Sequence, residues 1–281
     1  MAIKITSDST CDLSPELLSK YNISVLPLYV TVGDNTYRDG VDAQPPDIFA
    51  YVREHGTLPS TAAINISDYQ EFFAELSSQN DAVIHVNISS EFSSCHQNAC
   101  IAAEEFNNVY VVDSRNLSTG HGLVVIEAAL AAARGEKAED IAAYLNELTG
   151  RVESSFVVDK LDYLVKGGRC SSATALGANL LKLKPCIEVV DGRMRVGKKY
   201  RGAFDKVLPD YVKDRLAGRQ DVSYDRIFVT HTYCSAETVN AVKNAVAQYG
   251  SFAEVLETTA GCTISCHCGP NTLGILFIRS K

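Results

Sequence analysis

A short apolar strand that ends in a serine-rich turn and leads directly into a helix constrains this chain more than any other feature. Val83, Ile84 and Val86 are typical of a buried strand, and the residues after the turn, up to Phe106, continue as a helix. A helix N-terminus presents unpaired N–H groups and the positive end of the helix dipole. Ligands of open α/β sheets lie at the carboxyl ends of strands. The turn therefore predicts an anion site whose hydroxyl groups come from Ser89, Ser90, Ser93 and Ser94.

Strand and helix patterns alternate through the first 150 residues. This alternation predicts a parallel sheet with helices on both faces. Ser14 is predicted to cap a helix that has Pro15 at its first position. Gly150 follows the last helix of this half. The predicted strands lie at 3–5, 23–32 (one strand or two), 83–86 and 109–112, and the predicted helices at 47–54, 67–76, 118–133 and 139–148.

The second half predicts a mixed sheet, because Asp191-Gly192 separates two strand-like runs and is a strong hairpin signal. We therefore expect an α/β fold with two domains. The first is an N-terminal three-layer α/β/α domain with a parallel sheet over residues 1–150, and the second is a C-terminal mixed-sheet α/β domain over residues 151–281. The predicted helices of this half lie at 161–166, 176–181, 204–216 and 235–248, and the predicted strands at 155–158, 187–190, 227–230, 251–256 and 273–278.

Composition narrows the classes of function. A hydrophobic fraction of 46% is ample for packed cores, and a formal net charge of −8 argues against nucleic-acid binding. The chain has no apolar run of about 18 residues that could span a membrane. The N-terminus enters a strand pattern at once, without the apolar region of a signal peptide. We therefore predict a cytoplasmic protein whose nine cysteines are reduced.

The cysteine cluster Cys262, Cys266 and Cys268 raises the question of a metal site. We interpret the segment that begins at Cys266 as a strand leading into a turn, in which adjacent side chains point to opposite sides. That geometry favours small buried hydrophobic residues over zinc ligands.

Several catalytic motifs are absent from the sequence. It contains no G-x-x-x-x-G-K-[ST] phosphate loop, no G-x-S-x-G nucleophile elbow, no H-E-x-x-H, and no G-x-G-x-x-G after a strand. These absences together make the common kinases, hydrolases and dehydrogenases less favoured interpretations.

Three further segments carry polar residues in positions typical of sites. They are the hydroxyl-bearing loop that ends at Thr61, the Gly-Gly turn before Arg169, and the turn that carries His267. Each has a structural alternative: Thr61 as a turn residue, Arg169 as a cation at a helix C-terminus, and His267 as a hydrogen-bonded structural histidine. Ser93 could equally be a helix N-cap.

In order and spacing, these segments resemble the DegV-type bacterial fatty-acid-binding proteins over nearly the whole chain. No single motif is decisive, but the ordered set is specific. The segments that carry the resemblance are Ser7-Asp8-Ser9-Thr10-Cys11-Asp12-Leu13, Leu26-Pro27-Leu28, Tyr37-Arg38-Asp39-Gly40, Leu58-Pro59-Ser60-Thr61, Ser89-Ser90-Glu91-Phe92-Ser93, Val112-Asp113-Ser114, Gly120-His121-Gly122-Leu123, Leu161 to Arg169, Lys184-Pro185 and His267-Cys268-Gly269-Pro270.

The resemblance implies a long-chain fatty acid in a tunnel between two domains, with no other cofactor and no metal. It implies that Thr61 and Ser93 hold the carboxylate, with Arg169 and His267 near it. It also implies a fatty-acid kinase as partner, which phosphorylates the carboxylate while the carrier makes no bond itself. Transient contact with a membrane surface during lipid exchange is compatible with such a role.

The chain departs from the family pattern at two informative places. Ala62-Ala63-Ile64 stands where the family usually has Ser-Gln-Pro after Thr61, and Ser94 stands where it usually has glycine. Ser94 either restricts the approach of a ligand to the backbone or adds a hydroxyl to the carboxylate site, and we include it among the predicted site residues.

Two other classes of function remain open from the residues alone. One is a serine hydrolase with Ser93 as nucleophile and His267 or His96 as base. The other is a structural or regulatory interaction protein. Failure of fluorophosphonate probes to label Ser93, with no turnover of short esters, would exclude the first, and an extract without lipid after lipid-replete expression would favour the second.

Overall fold

The computed structural model describes residues 2–175 and 183–281, and the alternating pattern of the first half is confirmed. The strands of this half are β1 (Ile3–Asp8), β2 (Ile23–Leu26), β3 (Tyr29–Val32), β4 (Asn35–Arg38), β5 (Ser60–Ala62), β6 (Ala82–Asn87) and β7 (Val109–Asp113). The helices are α1 (Pro15–Lys20), α2 (Pro45–His55), α3 (Ile66–Gln79), α4 (Cys95–Ala103), α5 (Ser118–Ala133) and α6 (Ala138–Leu148).

The second half contains longer strands and shorter helices. Its strands are β8 (Val152–Val158), β9 (Leu183–Val190), β10 (Arg193–Arg201), β11 (Val222–His231), β12 (Glu254–Thr259) and β13 (Thr272–Arg279). Its helices are α7 (Asp162–Gly167), α8 (Ser171–Thr174), α9 (Phe204–Leu216), α10 (Ala236–Tyr249) and α11 (Cys262–Cys268). The helical stretch predicted at 176–181 lies outside the described residues.

A four-stranded parallel sheet in the order β2-β1-β6-β7 forms the centre of the first half. Helices α3 and α4 contact β6 and β7, and α5 and α6 contact the same strands within a different core cluster. The predicted three-layer α/β/α arrangement is confirmed. Strand β6 is buried along its whole length, as the apolar pattern predicts, and the serine-rich turn follows its carboxyl end.

Helix α5 lies between the two large sheets. It contacts β1 and β6 of the parallel sheet and β8, β11 and β13 of the second sheet. Most of its side chains are buried, which explains why its sequence lacks a polar face. Gly122 permits this packing, because a Cβ there would lie 2.7 Å from the carbonyl oxygen of Cys11.

The second half forms a six-stranded mixed sheet in the order β10-β9-β8-β13-β11-β12. The predicted hairpin joins β9 to β10, which pair antiparallel. Asp191 and Gly192 have φ values of 53° and 80°, the left-handed geometry that a two-residue hairpin turn requires. The predicted mixed sheet is therefore confirmed.

A three-stranded antiparallel sheet, β4-β3-β5, escaped prediction. The apolar run at 23–32 divides into β2 and β3, which belong to different sheets. The strands of the small sheet have only three or four residues, too few to show a period of two. This sheet carries Thr61, one of the predicted site residues.

The prediction of an extended chain at Cys266–Cys268 is wrong, because these residues belong to α11. Asp39 stabilises the start of this helix by accepting hydrogen bonds from the backbone N–H groups of Cys262 (2.8 Å) and Thr263 (3.2 Å). A partner so distant in sequence leaves no local signal. Cys262, Cys266 and Cys268 are all buried. Within the described residues, no three His, Cys, Asp or Glu side chains are grouped to hold a metal.

The boundary predicted near residue 150 falls between α6 and β8 and stays a prediction. Helix α11 of the second half packs against β3 and β5 of the first half. All nine cysteines fall within the described ranges and are free thiols. No helix in residues 2–175 and 183–281 combines the length and the apolarity needed to cross a bilayer.

Candidate functional site

Four of the five predicted site residues line a single cavity of about 50 Å³. Thr61 lies on β5, Ser93 in the turn between β6 and α4, Arg169 just after α7, and His267 on α11. The cavity therefore lies where the two halves of the chain meet. The rest of its lining comprises Leu28, Ala62, Ala63, Ile88, Phe92, Leu117, Met194, Thr263, Ile264 and Cys268.

A hydrogen bond joins Thr61 to His267. The Thr61 Oγ1 lies 2.9 Å from the His267 Nε2, across 206 residues of sequence. Burial, together with the nearby charge of Arg169, lowers the pKa of His267 to about 4. The imidazole is therefore neutral at pH 7 and acts as one donor and one acceptor.

Two adjacent glycines precede Arg169 for different reasons. Gly168 has a φ of 72° and ends α7 in the left-handed conformation that glycine adopts readily. Gly167 has no such requirement, but a Cβ there would lie 2.5 Å from the His267 Nδ1. The first glycine thus makes room for the imidazole ring, and the second turns the chain toward Arg169.

Arg169 is the only residue with a formal charge in the described lining of the cavity. Its Nη1 donates to the carbonyl oxygen of Gly167 (2.9 Å), and its Nε lies 3.5 Å from that of Phe92. A guanidinium has five N–H donors, so these two contacts leave others for a ligand. A lining whose described residues include one cation and no carboxylate favours an anionic ligand.

The serines of the turn have separate roles. Ser89 Oγ donates to the carbonyl oxygen of Gly192 (2.9 Å), and Ser90 Oγ donates to Asp113 (2.6 Å). Ser94 is exposed at the position before α4, makes no side-chain capping bond, and does not line the cavity. Only Ser93 belongs to the cavity lining. The predicted cluster of four hydroxyls is thus one cavity hydroxyl, two structural hydroxyls and one surface hydroxyl.

Ser93 also makes the local contact expected of a helix cap. Its Oγ accepts a hydrogen bond from the backbone N–H of Cys95 (3.3 Å) and lies 3.1 Å from the Cys95 Sγ. Both interpretations of Ser93 from sequence therefore have a structural counterpart.

A second, smaller cavity of about 30 Å³ adjoins the first and shares Leu117, Ile264 and Cys268 with it. It is lined by hydroxyl-bearing residues whose oxygens are already bonded. Thr230 lies within 3.0 Å of the Thr258 hydroxyl and 2.5 Å of the Thr119 hydroxyl, while Thr232 Oγ1 donates to the Gly269 carbonyl (2.6 Å). These threonines therefore offer carbon rather than oxygen to the cavity. The rest of its lining comprises Ser118, Phe156, His231, Ala260, Thr272, Gly274 and Leu276.

The hydrolase interpretation is not supported. His267 Nε2 bonds to Thr61, and His96 Nε2 lies 3.6 Å from the Cys100 Sγ. Neither imidazole hydrogen-bonds to Ser93 anywhere in the described parts of the chain. Ser93 therefore lacks the general base that a serine nucleophile needs.

Sequence reasoning missed several residues of the first cavity, and two of them are informative. Met194, which follows the hairpin turn, and Thr263 on α11 both line it. The period of a helix places Thr263 on the same face as His267, four residues on, whereas the sequence pattern predicts an extended chain here.

Fold and site together define a mixed α/β protein with a cationic, hydroxyl-bearing cavity that adjoins an apolar one. A family model described as "uncharacterised protein, DegV family" matches residues 2–280. This chain belongs to the DegV family.

Relatives with this fold are described as fatty-acid-binding proteins. A fatty acid-binding protein of Thermotoga maritima is 30% identical over 288 residues, covering 98% of this chain and 96% of its own length. A fatty-acid-binding DegV family protein of Thermus thermophilus has a TM-score of 0.89 at 30% identity, covering 99% of this chain and 100% of its own. A stearic acid-binding protein of Eubacterium ventriosum has a TM-score of 0.86 at 25% identity, covering 99% and 98%.

Proposed function

We propose that this protein binds a long-chain fatty acid, with its carboxylate at Arg169 and its acyl chain directed into the second cavity. The observation that carries the proposal is the charge of the site. In a chain with a net charge of −8, the described lining of the cavity has one cation and no carboxylate. Such a lining selects an anionic group on an apolar molecule.

The energetics agree with this assignment. Hydrogen bonds from Thr61, Ser93 and Arg169 to a carboxylate would each contribute roughly 1.5–3 kcal/mol. Neutral His267 would orient the Thr61 hydroxyl. Each buried methylene of the acyl chain would add about 0.8 kcal/mol. The acyl chain therefore supplies most of the affinity, and the polar groups fix the position of the carboxylate.

Extraction of the purified protein under denaturing conditions, followed by mass spectrometry, tests ligand identity. We expect a fatty acid of about 14–18 carbons, the length at which methylene burial gives strong binding. Recovery of polar metabolites without a fatty acid would contradict the proposal.

The role of Arg169 is tested by substituting it with alanine. We expect Arg169→Ala to weaken palmitate binding by roughly 10- to 100-fold, the range of a charge-assisted hydrogen bond. Arg134→Ala is the matched control, because Arg134 pairs with Glu136 on the surface and does not line the cavity. Equal palmitate affinity in both variants would remove Arg169 from the site.

We further propose that the protein is a cytoplasmic carrier that presents the carboxylate to a fatty-acid kinase. Arg169 is exposed, so the carboxylate would lie at the mouth of the cavity, where a second protein can reach it. In that reaction a carboxylate oxygen attacks the γ-phosphorus of ATP, forming an acyl phosphate as ADP leaves. The carrier would take up its fatty acid in a brief encounter with a membrane surface.

The presentation step is tested with a bacterial fatty-acid kinase and radiolabelled ATP. We expect labelled acyl phosphate only when the loaded protein, kinase and ATP are all present. Product formation at the same rate from free fatty acid, without the carrier, would contradict the presentation step while leaving fatty-acid binding intact.

A further inference from the structure

One hydroxyl group at the first cavity has no hydrogen-bond partner. Thr263 is 4% exposed and lines the cavity, yet its Oγ1 is buried without a partner in residues 2–175 and 183–281. A buried hydroxyl that makes no hydrogen bond is destabilising, and such groups often have a functional reason.

The position of Thr263 in α11 explains why it lacks a local partner. A threonine inside a helix commonly bonds to the carbonyl oxygen four residues earlier. For Thr263 that residue is Thr259, which lies in β12 before the helix begins. Ser265, two residues further along, does reach a carbonyl oxygen, that of Ala260, at 3.4 Å.

Other hydroxyls along the two cavities are satisfied. Thr230, Thr232 and Thr272 all make hydrogen bonds within the protein. Ser154 is the other buried side-chain hydroxyl without a partner in the described residues, and it lines neither cavity. Within the described residues, Thr263 is thus the one residue that lines these cavities and has a buried hydroxyl without a partner.

Thr263 and His267 are four residues apart on α11, so their side chains share one face with Cβ atoms about 5–6 Å apart. The backbone N–H of Thr263 already bonds to Asp39, which fixes the start of the helix. We propose that the Thr263 hydroxyl donates a hydrogen bond to a carboxylate oxygen of the bound fatty acid. This inference rests on the proposed function and adds a specificity-determining residue to it.

The test compares two ligands of equal chain length, palmitate and 1-hexadecanol, in the delipidated full-length protein. Both displace a fluorescent fatty acid, and the ratio of their dissociation constants isolates recognition of the carboxylate. Thr263→Val removes the hydroxyl at nearly constant shape, and Thr263→Ser keeps it. Ser154→Ala is the matched control, because it removes the other buried hydroxyl that has no partner in the described residues, and Ser154 lines neither cavity.

We expect Thr263→Val to weaken palmitate binding roughly tenfold with little change for hexadecanol, and Thr263→Ser to restore it. The melting temperature of apo Thr263→Val should stay the same or rise, because this substitution removes an unpartnered hydroxyl. Ser154→Ala should leave the palmitate-to-hexadecanol ratio unchanged. An unchanged ratio in Thr263→Val, or equal weakening of both ligands, would overturn the inference. Failure of the unmodified protein to bind palmitate would instead overturn the proposed function.

Discussion

The two adjoining cavities contain similar residue types but differ in how their polar atoms are bonded. The first has Thr61, Ser93 and His267, and the second has Thr230, Thr232 and His231. In the second cavity the threonine hydroxyls bond to protein groups. His231 Nδ1 accepts from the Cys234 N–H (3.3 Å), and its Nε2 faces Glu257 at 3.5 Å.

The first cavity keeps polar capacity for a ligand. Arg169 retains free donors, Thr61 and His267 bond mainly to each other, and Thr263 has no partner in the described chain. The comparison shows that the polarity of a cavity depends on where its hydroxyl groups form bonds as well as on which residues surround it. It supports our proposal that the carboxylate binds at the first cavity and the acyl chain at the second.

Shortening the acyl chain should have the largest effect and tests the apolar end. Laurate has four methylenes fewer than palmitate, so its binding should be weaker by about 3 kcal/mol, roughly 200-fold. Isothermal titration of the delipidated protein measures both affinities. Near-equal affinities would show that the second cavity does not bind the acyl chain. The proposed division into a carboxylate-binding cavity and an acyl-binding cavity would then be wrong.

The sequence predicts the large elements of this fold well. Strand β6, helix α5 and the hairpin at Asp191-Gly192 are each set by a local pattern, either a buried apolar run or a turn that requires left-handed residues. Local context and family resemblance predict four site residues, and the structure brings all four to one cavity: Thr61, Ser93, Arg169 and His267.

The parts that escaped prediction depend on contacts between distant residues. Helix α11 begins at Cys262 because Asp39 accepts its first N–H groups, and no local pattern reveals that bond. Ser89 and Ser90 resemble Ser93 in sequence, but their hydroxyls bond to Gly192 and Asp113. The bonding of a hydroxyl group is a property of the folded chain, so sequence alone could not separate these serines.

A methyl group at Gly167 should weaken binding of the carboxylate without contacting the ligand. Gly167→Ala places a Cβ against His267 Nδ1, so the ring must move and its bond to Thr61 should break. We expect a loss of about 1 kcal/mol in palmitate binding, roughly fivefold, with little change for hexadecanol. Competition assays with the two ligands measure this.

Gly135→Ala is the control for that variant, because Gly135 has a φ of 80° and an added Cβ would meet no atom within 4 Å. It should lower the free energy of unfolding by about 1 kcal/mol through backbone strain while leaving ligand discrimination unchanged. Unchanged discrimination in Gly167→Ala would show that the position of His267 does not control the carboxylate.

Acid stability tests the polar end in the absence of any ligand. The pKa of His267 is lowered to about 4, chiefly by burial, so the unfolded chain binds more protons between pH 6.5 and pH 4. The stabilisation is complete above pH 6.5 and is lost as the pH falls through this window. Between pH 7 and pH 5 the free energy of unfolding of the apo protein should fall by ~2 kcal/mol because of His267. The His267→Gln variant should not show this loss.

Urea unfolding of both proteins at the two pH values measures this difference. The pKa of His85, lowered to about 3 by burial, contributes equally to both proteins and cancels in the comparison. Parallel loss of stability would mean that His267 is not held neutral. A bound carboxylate would favour the imidazolium form of His267, because opposite charges attract. Palmitate should therefore reduce the loss of stability at pH 5 more in the unmodified protein than in His267→Gln. Hexadecanol, which lacks that charge, should not reproduce this protection.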